Sequence, residues 1–160
     1  MVLAGNIFCF IISIIETFGI VGLWLGWGQM TAIFKENGLY VDYCNTNITG
    51  DIIDCDGRDT LFNNIYTMTG IIMSVFSFGA GIMQDRYGLF VIRLFAIFAT
   101  AIGLTSMIFV EDLEMLVWAG WPFIAIGGII NHLANIKMTQ STPSWKGTFM
   151  AVLAGSRVFG

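Results

Sequence analysis

Glu16 is the only charged residue in an apolar run from about Leu3 to Phe34. A carboxylate at that depth costs several kcal/mol unless it faces a cavity, meets a partner or takes up a proton. At 100° per residue it shares a helix face with Ser13, Ile20, Trp24, Trp27 and Thr31. With two indoles beside it, this stripe reads as the lining of a polar path. The plainer alternative is a protonated glutamate bonded to a neighbouring helix. A second polar group gathers on one side of a later apolar segment: Trp121, Gly128, Asn131, His132, Asn135 and Thr139. Asn131 and Asn135, one turn apart, offer donors and acceptors that can orient a small polar solute, or tie helices together at about 0.6 kcal/mol apiece. His132 has no second histidine, cysteine or carboxylate at ligand spacing, so no metal site is expected. A protonatable relay between Glu16 and His132 is a further alternative, with Arg157 a candidate counter-ion. No nucleophile–base set, phosphate loop or catalytic carboxylate pair is present, so neither an enzyme nor a cofactor is expected.

These residues need membrane helices to position them. Of 160 residues, 56% are hydrophobic and 11% charged, against about 25% charged in a soluble domain. A larger core cannot absorb the difference in so short a chain, which leaves lipid as the solvent for much of the surface. The formal charge of −4 and the lack of a basic run give no support to nucleic-acid binding. A span takes about 20 apolar residues, and five segments qualify or begin to: about 3–34, 61–83, 89–110, 115–136 and 148–160. The fifth stops after little more than half a span, so the sequence is expected to be an incomplete N-terminal portion. The first lacks a basic start and a small-residue cleavage site and is too long for a signal h-region of roughly 7–15 residues. It is expected to be a retained span.

The connections set an orientation. The loop 35–60 carries Glu36, Asp42, Asp51, Asp54, Asp56 and Asp59 against Lys35 and Arg58, and the third connection carries Glu111, Asp112 and Glu114. Arg86 and Arg93 flank the second connection, Lys137 and Lys146 the fourth. The positive-inside rule then puts the second and fourth connections and the N-terminus in the cytoplasm and the loop 35–60 outside. That loop holds an Asn47-Ile-Thr49 glycosylation sequon bracketed by Cys44 and Cys55. An oxidising compartment favours a disulfide and a glycan there, with two free thiols and an unused sequon as the alternative.

Small residues mark close packing. Gly19, Gly22 and Gly26 form a stripe beside the Glu16 face, the last two in GxxxG spacing. In the second segment Asn63, Thr67, Gly70, Ser74, Ser77 and Gly81 fall within roughly 80° of arc, which predicts a helix packed or sliding against another.

After the second span stands Gly81-Ile-Met-Gln-Asp85-Arg86-Tyr-Gly88, followed by Arg93. This resembles the signature between helices two and three of the major facilitator superfamily. There Gly81 lets a helix of the other half approach, Asp85 accepts from that helix's N-terminus, Arg86 stays among headgroups and Gly88 permits the turn. The resemblance implies a cytoplasmic gate in an alternating-access cycle. The usual basic pair is Leu89-Phe90 here, leaving Arg93 to supply the missing charge. More narrowly the chain resembles solute carrier family 43, through Leu25-Gly26-Trp27-Gly28, Phe34 to Tyr40, Cys44 and Cys55, Asp85 to Gly88, Ile92-Arg93-Leu94 and Gly127-Gly128-Ile129. That implies an all-α membrane protein, the N-terminal part of a twelve-helix fold whose C-terminal half is missing. It also implies a facilitative carrier of a small neutral solute, working without a cofactor, with the plasma membrane the expected location. Large neutral amino acids are the first choice. A purine nucleobase, a proton-coupled carrier and, at a distance, a four-span adhesion or junction protein are the alternatives.

Overall fold

The computed structural model describes residues 11–17, 19, 22–46, 52–140, 147–148, 150–152 and 155. Residues 11–16 are helical. They are followed by a short α1 (Gly22–Leu25), α2 (Trp27–Glu36), and the long α3 (Asp56–Tyr87), α4 (Leu89–Ile108) and α5 (Leu116–Gln140). A two-stranded antiparallel hairpin, β1 (Asn45–Thr46) with β2 (Ile52–Asp54), interrupts the helices. Among the described residues, three helices are long and apolar enough to cross a membrane: Asp56–Tyr87, Leu89–Ile108 and Leu116–Met138. Large apolar side chains point outward from them, with Phe78 76% and Phe90 79% exposed. Water would not tolerate that surface; lipid does. The chain is an all-α membrane protein.

At 1.5 Å per residue α3 is about 48 Å long, beyond the ~30 Å hydrocarbon core. Its polar first turn, with Asp56 and Asp59, and its last, with Arg86, therefore project past the apolar zone. Gly88 separates α3 from α4 by a single residue. The Gly88 amide donates to the Gln84 carbonyl at 3.1 Å, and its φ of +84° reverses the chain in a conformation that side chains rarely adopt.

At the opposite end, Cys44 and Cys55 form a disulfide with Cα atoms 4.2 Å apart, closing the hairpin and tying it to the first turn of α3. The sequon Asn47 lies outside the described residues. Replacing Cys44 or Cys55 by serine is expected to cost about 2–4 kcal/mol. The check is a lower thermal midpoint for the variant, reproduced in the natural protein by reductant.

Packing divides along the membrane normal. Near the disulfide, Trp27, Phe34, Leu39, Tyr40, Phe62, Ile65, Val110, Val117, Trp121 and Ile124 form one core. Near Gly88, Ala80, Ile92, Ala96, Ala99, Ile126, Ile130 and Ala134 form another. Both draw on α5, the most buried of the three long helices, whose closest partner is α4. Glycines make this seam. A Cβ on Gly103 would stand 2.6 Å from Ile124 Cγ1 and 2.8 Å from the Gly120 carbonyl oxygen, and one on Gly127 would strike Thr100. The small-residue stripes singled out in the sequence lie elsewhere. Gly22 is buried and Gly26 stands at the break between α1 and α2. Among the described residues, an added Cβ would meet nothing within 4 Å at Gly19, Gly70 or Gly81. Ser74 is exposed and Ser77 half-buried, each donating to the carbonyl four residues back. Among the described residues, the tightest helix–helix approach is that of α4 and α5, and α1, where Gly22 is buried, also packs against α5.

Candidate functional site

The interior holds a polar cluster built from three elements at the Gly88 end. Arg93 lies one turn and a residue past the Gly88 reversal, which aims it from α4 into the bundle rather than at the headgroups. Its Nη2 donates to Asn135 Oδ1 at 2.5 Å and to Met138 Sδ at 3.5 Å. The same nitrogen stands 3.6 Å from Glu16 Oε2, with both side chains about a quarter exposed. Asn135 is fully buried; its Nδ2 donates at 3.4 Å to the Ser13 carbonyl and at 3.5 Å to Thr17 Oγ1. Thr17 Oγ1 in turn donates to the Ser13 carbonyl at 2.7 Å, and Ser13 Oγ approaches Met138 Sδ at 3.8 Å. Residues 17 and 19 take π-helical geometry, a widened turn that often accompanies function in helices.

The electrostatics follow from this placement. Glu16 gains a counter-charge from α4, which offsets part of the cost of its burial. The 3.6 Å separation is longer than that of a charge-assisted hydrogen bond, and Glu16 Oε2 is buried without a hydrogen-bond partner. The pair is thus loose, with acceptor capacity to spare.

Arg93 was expected beside the turn motif as its missing basic charge; it lies instead with Glu16 and Asn135. Within the motif, Asp85 pairs with Lys137 of α5 and Arg86 lies over the Tyr87 ring, 5.8 Å from its centroid. Asp85, Arg86 and Gly88 are exposed and Gly81 is half-buried. Trp27 does not join Glu16. It packs at the disulfide end among Trp121, Phe62 and Tyr66, with ring centroids 4.6, 6.1 and 6.3 Å away. Trp24 belongs to α1, and its side chain lies outside the described residues. Arg157 also lies outside them. Asn131 and His132 are buried on α5, and Asn131 Nδ2 has no hydrogen-bond partner. Among the described residues no group of histidines, cysteines and carboxylates has metal-ligand spacing.

Sequence reasoning missed the Glu16–Arg93 pairing, although a signal was there: Glu16 is the one carboxylate inside the five apolar segments, and Arg93 one of two cations. Tyr40 was missed too. It adopts a left-handed φ of +57°, and its hydroxyl donates to the Glu114 carbonyl at 2.5 Å while its amide donates to Glu114 Oε1 at 3.1 Å. This staples the loop after α2 to the α4–α5 connection. Burial first, then the charge of Glu114 and the neighbouring Tyr43, push the Tyr40 phenol up to about 12. The folded form therefore holds the proton more tightly than the unfolded chain, whose phenol titrates near 10. The resulting stabilisation is complete below pH 10 and disappears as pH rises towards 12. Tyr40→Phe is expected to flatten that decline, as read from thermal midpoints across the alkaline range.

With the geometry in place, comparison with known proteins points one way. The chain is 26% identical over 151 residues to equilibrative nucleobase transporter 1 of Bos taurus, covering 90% of this chain and 31% of the relative. It is 27% identical over 157 residues to large neutral amino acids transporter small subunit 3 of Homo sapiens, covering 90% and 28%. Two named transporters thus match nearly the whole chain. Protein FMP42 of Saccharomyces cerevisiae is 23% identical over 139 residues. The chain spans about three tenths of the length of the curated relatives it matches. No family model matches, and no solved structure does.

Proposed function

We propose that this chain is the N-terminal portion of a facilitative transporter that moves a small neutral organic solute by alternating access, in a twelve-helix fold of the major facilitator type. The observation that carries the reading is the Glu16–Arg93–Asn135 cluster inside a lipid-solvated bundle. A bundle that only had to fold would do as well with apolar packing there, and ionisable groups at membrane depth mark solute or ion pathways by default. The likeness of 90% of the chain to two transporters supports it.

In this reading the N-terminus and the Gly88 turn are cytoplasmic, the Cys44–Cys55 hairpin faces outward with Asn47 open to glycosylation, and the plasma membrane is the location. Asp85, now paired with Lys137, belongs to the cytoplasmic gate. The solute path runs past Glu16 and the asparagines of α5. Large neutral amino acids are the first choice of solute; a purine nucleobase is the second, favoured by the bovine relative. The test is uptake of labelled leucine and labelled adenine by the natural full-length protein in liposomes, each at two pH values. Concentrative uptake only under a proton gradient, abolished in Glu16→Gln, would replace facilitation by proton coupling. Absence of uptake for both solutes would overturn the transporter reading.

A further inference from the structure

We infer that Glu16 and Arg93, steadied by Asn135, form a head-group subsite for a zwitterion: Arg93 takes the carboxylate and Glu16 the ammonium of an α-amino acid. The inference rests on the transporter reading above and assigns its solute class to named atoms. Opposite charges are held on two different elements at 3.6 Å. That is close enough to compensate each other while the site is empty and too far for a strong hydrogen bond. Glu16 Oε2 has no hydrogen-bond partner, so the acceptor an ammonium needs is unfilled. Arg93 has five N–H donors in a planar fork that suits a carboxylate bidentately, and the bonds it makes in the cluster use Nη2. About a quarter of each side chain is exposed while Glu16 Oε2 itself is buried, so a solute reaches that atom only as the pair parts. Asn135 anchors Arg93 on one side and reaches the Ser13 carbonyl and Thr17 Oγ1 on the other through long bonds of 3.4 and 3.5 Å. That slack lets the two charges separate as a solute enters between them. A zwitterion satisfies both charges at once; an uncharged nucleobase would part the pair without replacing either interaction, leaving two desolvated ions.

The test is inhibition of labelled leucine uptake by the natural full-length protein in liposomes. The competitors are leucinamide, which lacks the carboxylate, the α-keto acid of leucine, which lacks the ammonium, and adenine. Unmodified protein should bind leucine roughly ten- to hundredfold better than either analogue, the worth of one charge-assisted hydrogen bond. Glu16→Gln should erase the advantage of leucine over the keto acid while keeping its advantage over leucinamide, and Arg93→Gln should do the reverse. Arg93→Lys, which keeps the charge, should retain most of the preference for leucine over leucinamide. A purely structural pair would weaken all compounds in parallel, which overturns the assignment. Should Arg93→Gln fail to accumulate, the Glu16→Gln arm and the analogue series on unmodified protein still decide. Adenine carried while leucine is refused defeats the subsite and leaves the transporter reading standing. If neither solute moves, the transporter reading falls and the subsite with it.

Discussion

Gly103→Leu is expected to unfold or severely destabilise the α4–α5 seam, by more than about 3 kcal/mol. Overpacking a core typically costs 1–3 kcal/mol, when side chains can shift away. Here the first added carbon would already lie 2.7 Å from the Ile124 backbone nitrogen and 2.8 Å from the Gly120 carbonyl oxygen. Backbone in a helix cannot step aside without moving α5, which both cores share. The measurement is the thermal midpoint of purified protein in detergent, with Gly103→Ala as the milder member of the series. Gly70→Ala is the contrast: its methyl meets nothing among the described residues, and alanine is the better helix former by roughly 0.8–1 kcal/mol. A marked loss of stability in Gly70→Ala would therefore report a further helix seated on that face of α3. Equal tolerance of Gly103→Leu and Gly70→Ala would contradict the seam.

Arg93→Leu is the second large effect, expected to cost about 2–4 kcal/mol. Removing one partner of a buried ion pair typically costs 3–5 kcal/mol, because the other charge stays desolvated; the quarter exposure of Glu16 and Arg93 lowers that figure. Asn135 Oδ1, in a fully buried residue, would also lose the donor that holds it at 2.5 Å. Adding Glu16→Gln to Arg93→Leu should recover part of the loss, since the stranded charge is then gone. The double-mutant cycle on thermal midpoints measures this coupling. Strictly additive losses would mean that Glu16 and Arg93 do not act as a pair. This experiment reads stability alone and holds whichever solute is carried.

The cluster and the seam also show how differently two kinds of information are stored in this chain. Apolar runs of about 20 residues can satisfy their backbone in lipid only as helices, so the long helices were legible from composition and length. The reversal at Gly88 was legible through the turn motif, in which that glycine permits the turn, and its φ is +84°; that the connection is a single residue was not. Cys44 and Cys55 were legible because the acidic, base-poor loop around them argued for an oxidising compartment, and the disulfide is present.

What the sequence left open was azimuth: which face of each helix meets which neighbour. In a soluble bundle the hydrophobic stripe answers that question. In a membrane both lipid and core are apolar, and the stripe vanishes. Gly70, Ser74 and Ser77 looked like a packing face by local spacing, yet among the described residues the tight helix approach is made by Gly103, Gly120 and Gly127. Trp27 shared a computed stripe with Glu16, but it lies at the other end of the bundle against Trp121, 4.6 Å away; a stripe fixes an angle on a helix and says nothing of depth. Arg93 seemed to complete the turn motif by proximity in sequence. Its partners, Glu16 and Asn135, are 77 and 42 residues away. Sequence alone thus determined that the chain enters lipid, as helices, with few charges inside. Tertiary structure decided which of those charges meet, because a desolvated ion takes its partner from whatever packing brings within reach.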